Sequence, residues 1–234
     1  MNLIPEQEVV LVSSNVTPEA MRDKMFDNYL NTQTEFADLI EVEIEFNNVD
    51  RVALFNIEAT SIDLELTDDD TSTIVQTKTI DLEMDDGEYQ QWVIEPMYIY
   101  ANATLKISIN YSGSTAKCGM CGIGLSSFIG NTQYSPEIAY TDYSIKATNE
   151  FGQTYLNPGN WAKLPKITLI ADFVFIDAIY EDLTNIRGSF AFFEGNEEDT
   201  DYESLRVYGF LEDWKIKLDN PSIIYIDLDI QGAI

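Results

Sequence analysis

Apolar and charged residues alternate strictly over several stretches of this chain. Ile40, Val42, Ile44 and Phe46 are separated by Glu41, Glu43 and Glu45. A period of two puts each set on one face, which predicts a half-buried strand. Asn47-Asn48-Val49-Asp50 reads as a turn, and Arg51 to Asn56 as a second strand. Ile62, Leu64 and Leu66 against Asp63 and Glu65 predict a third. Thr73 to Leu82 and Gln91 to Ile94 follow as strands, with turns at Asp68-Asp69-Asp70 and Asp85-Asp86-Gly87. Thr104 to Tyr111 alternates cleanly, and Ser112-Gly113-Ser114 reads as the turn that ends it. Lys117 to Leu125 is a strand of small residues suited to lying against another backbone. Short strands at intervals of roughly 8–12 residues suggest a β-sandwich.

The pattern changes in the second half. Pro165 to Asp172 is strongly β in character. Ile176, Ile179, Tyr180, Leu183 and Ile186 then recur at steps of three and four, which predicts an amphipathic helix over 177–187. Asp177 is placed as its N-cap and Gly188 as its C-terminal stop. Phe190 to Phe193, Leu205 to Leu211, Trp214 to Leu218 and Ile223 to Ile230 read as strands, with an acidic loop over 194–203. Met21 to Leu30 suggests a short helical turn. The organisation expected is an extended arm over 1–20, a β-sandwich over 21–130 and an α+β domain over 131–234. The fold class is mainly β with a small α+β part.

Composition narrows the chemistry. There are 41 acidic residues, 13 basic ones and no His, for a net charge of −28. Such a surface repels phosphate backbones and anionic membranes, so neither nucleic acid nor membrane is expected as a partner. Without His, the commonest general base and transition-metal ligand are missing. The sequence carries no GxSxG, P-loop or Gly-rich dinucleotide fingerprint. No catalytic residue, cofactor or metal site is assigned, and the chain reads as a non-enzyme. A paired-carboxylate hydrolase has only the abundance of acid in its favour. MNLIPEQEVVLV lacks a basic n-region, and no apolar run reaches membrane length.

Three constellations have bland readings. Cys118-Gly119-Met120-Cys121 stands alone in a Gly-rich β segment, so its cysteines read as buried strand residues. Asp68, Asp69 and Asp70, and Asp199, Asp201 and Glu203, lack the DxDxDG spacing that wraps Ca²⁺ and read as solvated loops. Aromatics such as Tyr143, Phe151, Tyr155 and Trp161 sit in polar surroundings, which suits a protein interface, core packing or a sugar platform.

Three blocks then carry a resemblance. The first is Val52-Ala53-Leu54-Phe55-Asn56 with Ala59-Thr60-Ser61. The second runs from Gly130-Asn131-Thr132-Gln133-Tyr134 through Thr141-Asp142-Tyr143-Ser144, Lys146 and Asn149-Glu150-Phe151-Gly152 to Trp161-Ala162-Lys163. The third is Val207-Tyr208-Gly209-Phe210 with the closing strand Ile224, Ile226, Leu228 and Ile230 before Gly232. In this order they resemble a family of tailed-bacteriophage tail and baseplate proteins, sometimes labelled carbohydrate-binding-like. Leu164 stands where relatives tend to carry Arg.

The resemblance implies an N-terminal galactose-binding-like sandwich of jelly-roll type, followed by a tail-tube- or distal-tail-like domain with one helix. It implies a structural virion protein, assembled in the bacterial host cytoplasm and placed in the tail. Its partners would be its own copies and other tail or baseplate proteins. The loop from Asn149 to Trp161 is expected to be an inter-subunit contact, through Tyr143, Phe151, Tyr155 and Trp161. The alternative is a glycan-binding module that aids adsorption to host-surface glycans, with Asp27, Tyr29 and Asn31 as contacts.

Overall fold

The alternating segments become strands because one face of each finds a core and the other finds water. A computed structural model describes the chain except residues 8, 28, 31, 83–91, 134–135, 196–204, 219–220 and 234. Strand makes up 62% of the described residues, alongside two helices among them, in antiparallel, sandwich-like sheets. The chain divides into two compact units, Ile4–Ser126 and Ser127–Ile234 joined by Met1–Leu3.

The strands of the first part are β1 (Asn2–Pro5), β2 (Val10–Ser14), β3 (Thr34–Phe46), β4 (Arg51–Glu58), β5 (Ser61–Asp68), β6 (Thr73–Asp81), β7 (Trp92–Pro96) and β8 (Ala103–Gly124). A sheet runs β2-β3-β8-β4-β7, and β5 with β6 joins it along β8. The first half of β8 lies between β3 and β5; its second half lies between the start of β3 and β4. Ile40, Val42, Ile44 and Ile107 thereby share one core with Val52, Leu54, Ile57 and Ile123. This is the sandwich unit.

Ser112-Gly113-Ser114 is a bulge inside β8 rather than a turn. Residues 112–114 have no partner opposite, because Thr115 pairs with Ala37 and Tyr111 with Asp38. Gly113 takes a φ of 77°, and its N–H donates to the Asp38 carboxylate at 2.7 Å. An extra segment on one strand is absorbed as a bend, and a glycine tolerates that backbone. The small residues of 117–125 do meet other backbone. A Cβ on Gly124 would lie 2.3 Å from the Pro5 carbonyl oxygen.

The stretch read as an arm over 1–20 contains strands β1 and β2, and α1 (Glu19–Arg22) begins within it. Met1–Leu3 belong with the second unit: β1 pairs with β9 (Ser127–Phe128), and the Met1 amine donates to the Gly130 carbonyl. A 3₁₀ turn over Asp23–Phe26 follows α1 and buries Met25, whose N–H donates to the Thr34 hydroxyl at 3.0 Å.

The second unit continues with β10 (Asn131–Thr132), β11 (Glu137–Asp142), β12 (Ile145–Thr148), β13 (Thr154–Asn157), β14 (Trp161–Asp172), α2 (Ile176–Asn185), β15 (Ala191–Glu194), β16 (Arg206–Lys217) and β17 (Ile223–Gly232). Its sheet is ordered β10-β14-β17-β16-β15-β1-β9, with β11 also on β14. Ile167, Leu169, Ile224, Ile226 and Leu228 pack under Ile179 and Leu183 of α2. The helix starts one residue earlier than the periodicity predicts, and Asp177 is not its cap. A 3₁₀ turn, Phe173–Phe175, winds into it, Phe175 takes the cap position, and Asp177 sits in the first turn. Gly188, at φ 76°, provides the left-handed residue after the helix. The two closing strands read at 205–211 and 214–218 are one strand, β16, with a bulge between Leu211 and Asp213.

Candidate interaction surface

Residues 137–166 form a long β-finger. Its base is the ladder of β11 on β14, from Glu137↔Lys166 to Asp142↔Trp161. Its distal part is β12 on β13, from Ile145↔Asn157 to Thr148↔Thr154. Between the ladders, Tyr143-Ser144 face Pro158-Gly159-Asn160, two residues against three. That mismatch makes a joint. Tyr143 N–H donates to the Asn160 carbonyl at 2.9 Å, and Gly159 N–H to the Ser144 hydroxyl at 3.0 Å. A Cβ on Gly159 would lie 2.5 Å from the Tyr143 carbonyl oxygen, so this close approach requires glycine. Hydrogen bonds from Ser144, hydroxyl and backbone, hold the Asp142 carboxyl below the usual carboxylate range.

The segment from Asn149 to Trp161, read as a polar loop, is therefore the tip and return strand of a hairpin. Asn149 organises the tip. Its side-chain oxygen accepts from Phe151 N–H at 3.0 Å and Gln153 N–H at 2.8 Å, while its amide donates to the Tyr155 hydroxyl at 2.9 Å. Gly152 closes the turn at φ 77°, its N–H donating to the Asn149 carbonyl at 3.0 Å. A turn followed by a left-handed residue is a common hairpin closure. It holds Phe151 out from the chain, 88% exposed.

The finger is unusual in what it exposes. Every residue of β12 and β13 is exposed. Ile138, Tyr140, Tyr143, Ile145, Phe151, Tyr155, Leu156 and Trp161 are eight large apolar or aromatic side chains, all facing solvent. Ile145, Ala147 and Tyr155 lie on one face of the distal hairpin; Leu156 lies on the other with Lys146 and Thr148. Residues 143–161 carry only Lys146 and Glu150 as charges, in a chain of net −28.

The four residues expected at an interface, Tyr143, Phe151, Tyr155 and Trp161, thus fall on one finger, none of them in a core. Ile138, Tyr140, Ile145 and Leu156 are exposed on the same finger; Tyr140 counts among the aromatics of the second half, whereas Ile138, Ile145 and Leu156 are not singled out by sequence, because isolated aliphatic residues in a β stretch look like core.

The residues considered for glycan contact lie in the sandwich unit, just after the 3₁₀ turn. Asp27 is engaged in its own loop, accepting from Tyr29 N–H at 2.9 Å and from the Thr32 hydroxyl at 2.7 Å. Tyr29 is exposed, and Asn31 lies outside the described residues.

The remaining candidates resolve simply. Asp68 accepts from Asp70 N–H and the Thr71 hydroxyl, Asp69 from Thr104 and Asp70 from Asn102, so these carboxylates fold their loop. Asp85-Asp86-Gly87, Asp199, Asp201 and Glu203 lie outside the described residues. Cys118 and Cys121 are buried free thiols. Burial pushes Cys118 up to about 12 and Cys121 up as well, which suppresses thiolate chemistry. Among the described residues no group of three His, Cys, Asp or Glu is arranged to hold a metal, and no helix is long and apolar enough to cross a membrane.

No family model and no curated protein matches this chain. Several solved structures are similar to part of it. The lectin domain of lectinolysin, complexed with Lewis b antigen, aligns at 14% identity over 52% of this chain and 94% of that one, with a TM-score of 0.38. A Streptococcus pneumoniae fucose binding module aligns at 12% identity over 50% and 92%, with a TM-score of 0.34. Chitosan-binding module 1 of a chitosanase/glucanase from Paenibacillus sp. IK-5 aligns at 16% identity over 53% and 98%, with a TM-score of 0.33.

Proposed function

We propose that this chain is a structural subunit of a bacteriophage tail or baseplate, and that it assembles by docking its β-finger on neighbouring subunits. The observation that carries this reading is the finger itself. A two-stranded hairpin with no buried residue is marginal in water on its own. Exposed apolar surface of this extent, here on both faces of a hairpin, marks an interaction site. Covering eight half-exposed side chains at about 100 Å² each gives roughly 800 Å², one partner's share of a standard interface. The outer edge of β11, which pairs only with β14 among the described residues, offers a template for a further strand. The charge also supports assembly. Net −28 keeps free subunits apart, while the nearly neutral finger can approach an acidic neighbour. The placement in a tail rests on the three sequence blocks that resemble the tail-protein family.

Two measurements test this. Sedimentation of the full chain should show association that rises with concentration and disappears when Phe151 and Leu156 are replaced by Ser and Thr. Antibody labelling of virions should decorate the tail. Label on the capsid, or none on virions, removes the tail assignment; a wild-type chain that stays monomeric removes the docking finger.

A second reading, carbohydrate binding by the sandwich unit, is favoured by one observation. Tyr29 is exposed on a loop that Asp27 and Thr32 tie together, which offers a fixed aromatic face to a sugar ring. A glycan array probed with the full chain tests it. Binding lost in Tyr29→Ala supports an adsorption role, and an array without signal removes it.

A further inference from the structure

A second exposed apolar surface lies at the other end of β14. Phe173, Val174 and Phe175 form the 3₁₀ turn that leads into α2, and all three are exposed, Val174 at 78%. Phe173 N–H donates to the Ser222 carbonyl at 3.0 Å, which fixes the turn against the β16–β17 connection. Beside it lies an open groove of about 550 Å³, bounded by Phe173, Val174, Ile176 and Pro221 and flanked by Asp172 and Asp177. The groove beside this ledge is lined by apolar side chains together with Asp172, Asp177 and Ser222.

The finger supplies both parts of a complement. It exposes large apolar side chains and carries beyond its joint one cation, Lys146, which stands directly across from Leu156, and one anion, Glu150, in the tip turn. Leu156 entering the groove brings Lys146 alongside the two aspartates. The ledge follows one end of β14, a strand of 12 residues, and the distal hairpin of the finger lies beyond the other end, Trp161. At about 3.3 Å per residue they stand roughly 40 Å apart. A contact between them therefore joins two copies rather than closing within one. Two different surfaces that fit each other generate a heterologous contact, which propagates as a ring or a row.

We infer that the finger of one copy docks on the Phe173–Phe175 ledge of the next. This rests on the docking-finger reading above and names the surface that receives it.

The test uses two full-length variants whose changes fall on exposed residues. The finger variant carries Phe151→Ser and Leu156→Thr; the ledge variant carries Val174→Asn and Phe175→Ser. Unchanged melting curves establish that both fold. Each alone should self-associate at least about tenfold more weakly than the wild type, the loss expected from about 1.4 kcal/mol of contact. An equimolar mixture should form one-to-one dimers that do not grow further, because one copy supplies an intact finger and the other an intact ledge. A ledge variant that associates as the wild type does overturns the ledge while leaving the docking finger standing. A mixture that stays monomeric likewise overturns the pairing of finger with ledge. A wild-type chain that remains monomeric overturns both proposals.

Discussion

The hairpins β5–β6 and β12–β13 are both antiparallel pairs, but they meet water on different terms. In β5, Ile62, Leu64 and Leu66 are buried, and the strand is anchored along its other edge by β8. Its partner β6, an outer strand among the described residues, presents Thr73, Thr77, Lys78 and Thr79 to solvent with one large apolar residue, Ile74, and Lys78 lies near Glu95 at 3.6 Å. That polar, charged edge discourages another chain from pairing. The β12–β13 hairpin has no buried residue and, among the described residues, no third strand, and it presents Ile145, Tyr155 and Leu156 instead. One edge is defended against association; the other offers the surface that association needs. The same secondary structure is thus covered by a core in one unit and left exposed in the other.

The largest effect expected from this contrast compares a side chain of the anchored sheet with one of the finger. Ile107, on β8, is fully buried, with Val42 of β3 opposite it on one side and Leu64 of β5 on the other. Ile107→Ala removes methyl groups and leaves a cavity, and it should destabilise the sandwich unit by about 2–5 kcal/mol in a denaturant titration. Leu156→Ala, at an exposed position, should change the stability of the monomer by less than about 0.5 kcal/mol while weakening self-association. Equal losses in the two variants would abolish the distinction between an anchored and an unanchored hairpin.

The finger joint comes next. Gly159→Val would place a branched side chain where even a Cβ meets the Tyr143 carbonyl oxygen at 2.5 Å. The distal hairpin should swing or fray, and self-association should drop at least about tenfold. Global unfolding should move by less than about 1 kcal/mol, because neither β12 nor β13 contributes to a core. A smaller change is expected at the tip. Asn149→Ala removes the side-chain acceptor for Phe151 and Gln153 N–H and should cost about 1 kcal/mol locally. Faster amide exchange confined to residues 151–153 is the readout, and unchanged exchange would show that the turn holds without Asn149.

The contrast also explains what the sequence made legible. β3, β5 and β17 were readable because each has one face in a core, so apolar residues fall at every second position. β8 and β16 read as two strands each, since a bulge shifts the alternation and looks like a turn when its partner strand is unknown. Asp177 drew the helix cap because a carboxylate is a good cap, but Phe173–Phe175 had already begun the winding. The finger gave no alternation because neither face is buried. Its aromatics stood out against polar neighbours, whereas Ile145 and Leu156 matched what any core strand would carry. An exposed aliphatic residue becomes informative only once the fold shows that nothing covers it.

The smallest effect separates the body of the sheet from the joint through two carboxyls. Asp227, on β17, is held below the usual carboxylate range first by its hydrogen bond from Lys217, at 2.6 Å, and then by Thr168, against an opposing effect of burial. Asp142, at the joint, is lowered by Ser144. A carboxyl depressed in the folded state contributes stability that is present above its unfolded value, 3.8 here, and is lost as the pH falls through the lower folded value. Asp227 bridges β17 to β16 and β14, so its protonation weakens the sheet itself. Asp227→Asn should therefore flatten part of the stability loss below about pH 4, measured by unfolding at successive pH values. Asp142→Asn should change that acid limb less than Asp227→Asn does, because Asp142 is solvent-exposed and its hydrogen bonds stay within the joint, and should alter amide exchange at Ser144. An acid limb that responds to Asp142 and ignores Asp227 would mean that the finger is coupled to the unfolding of the sheet, and the contrast between the two hairpins would fail at its root.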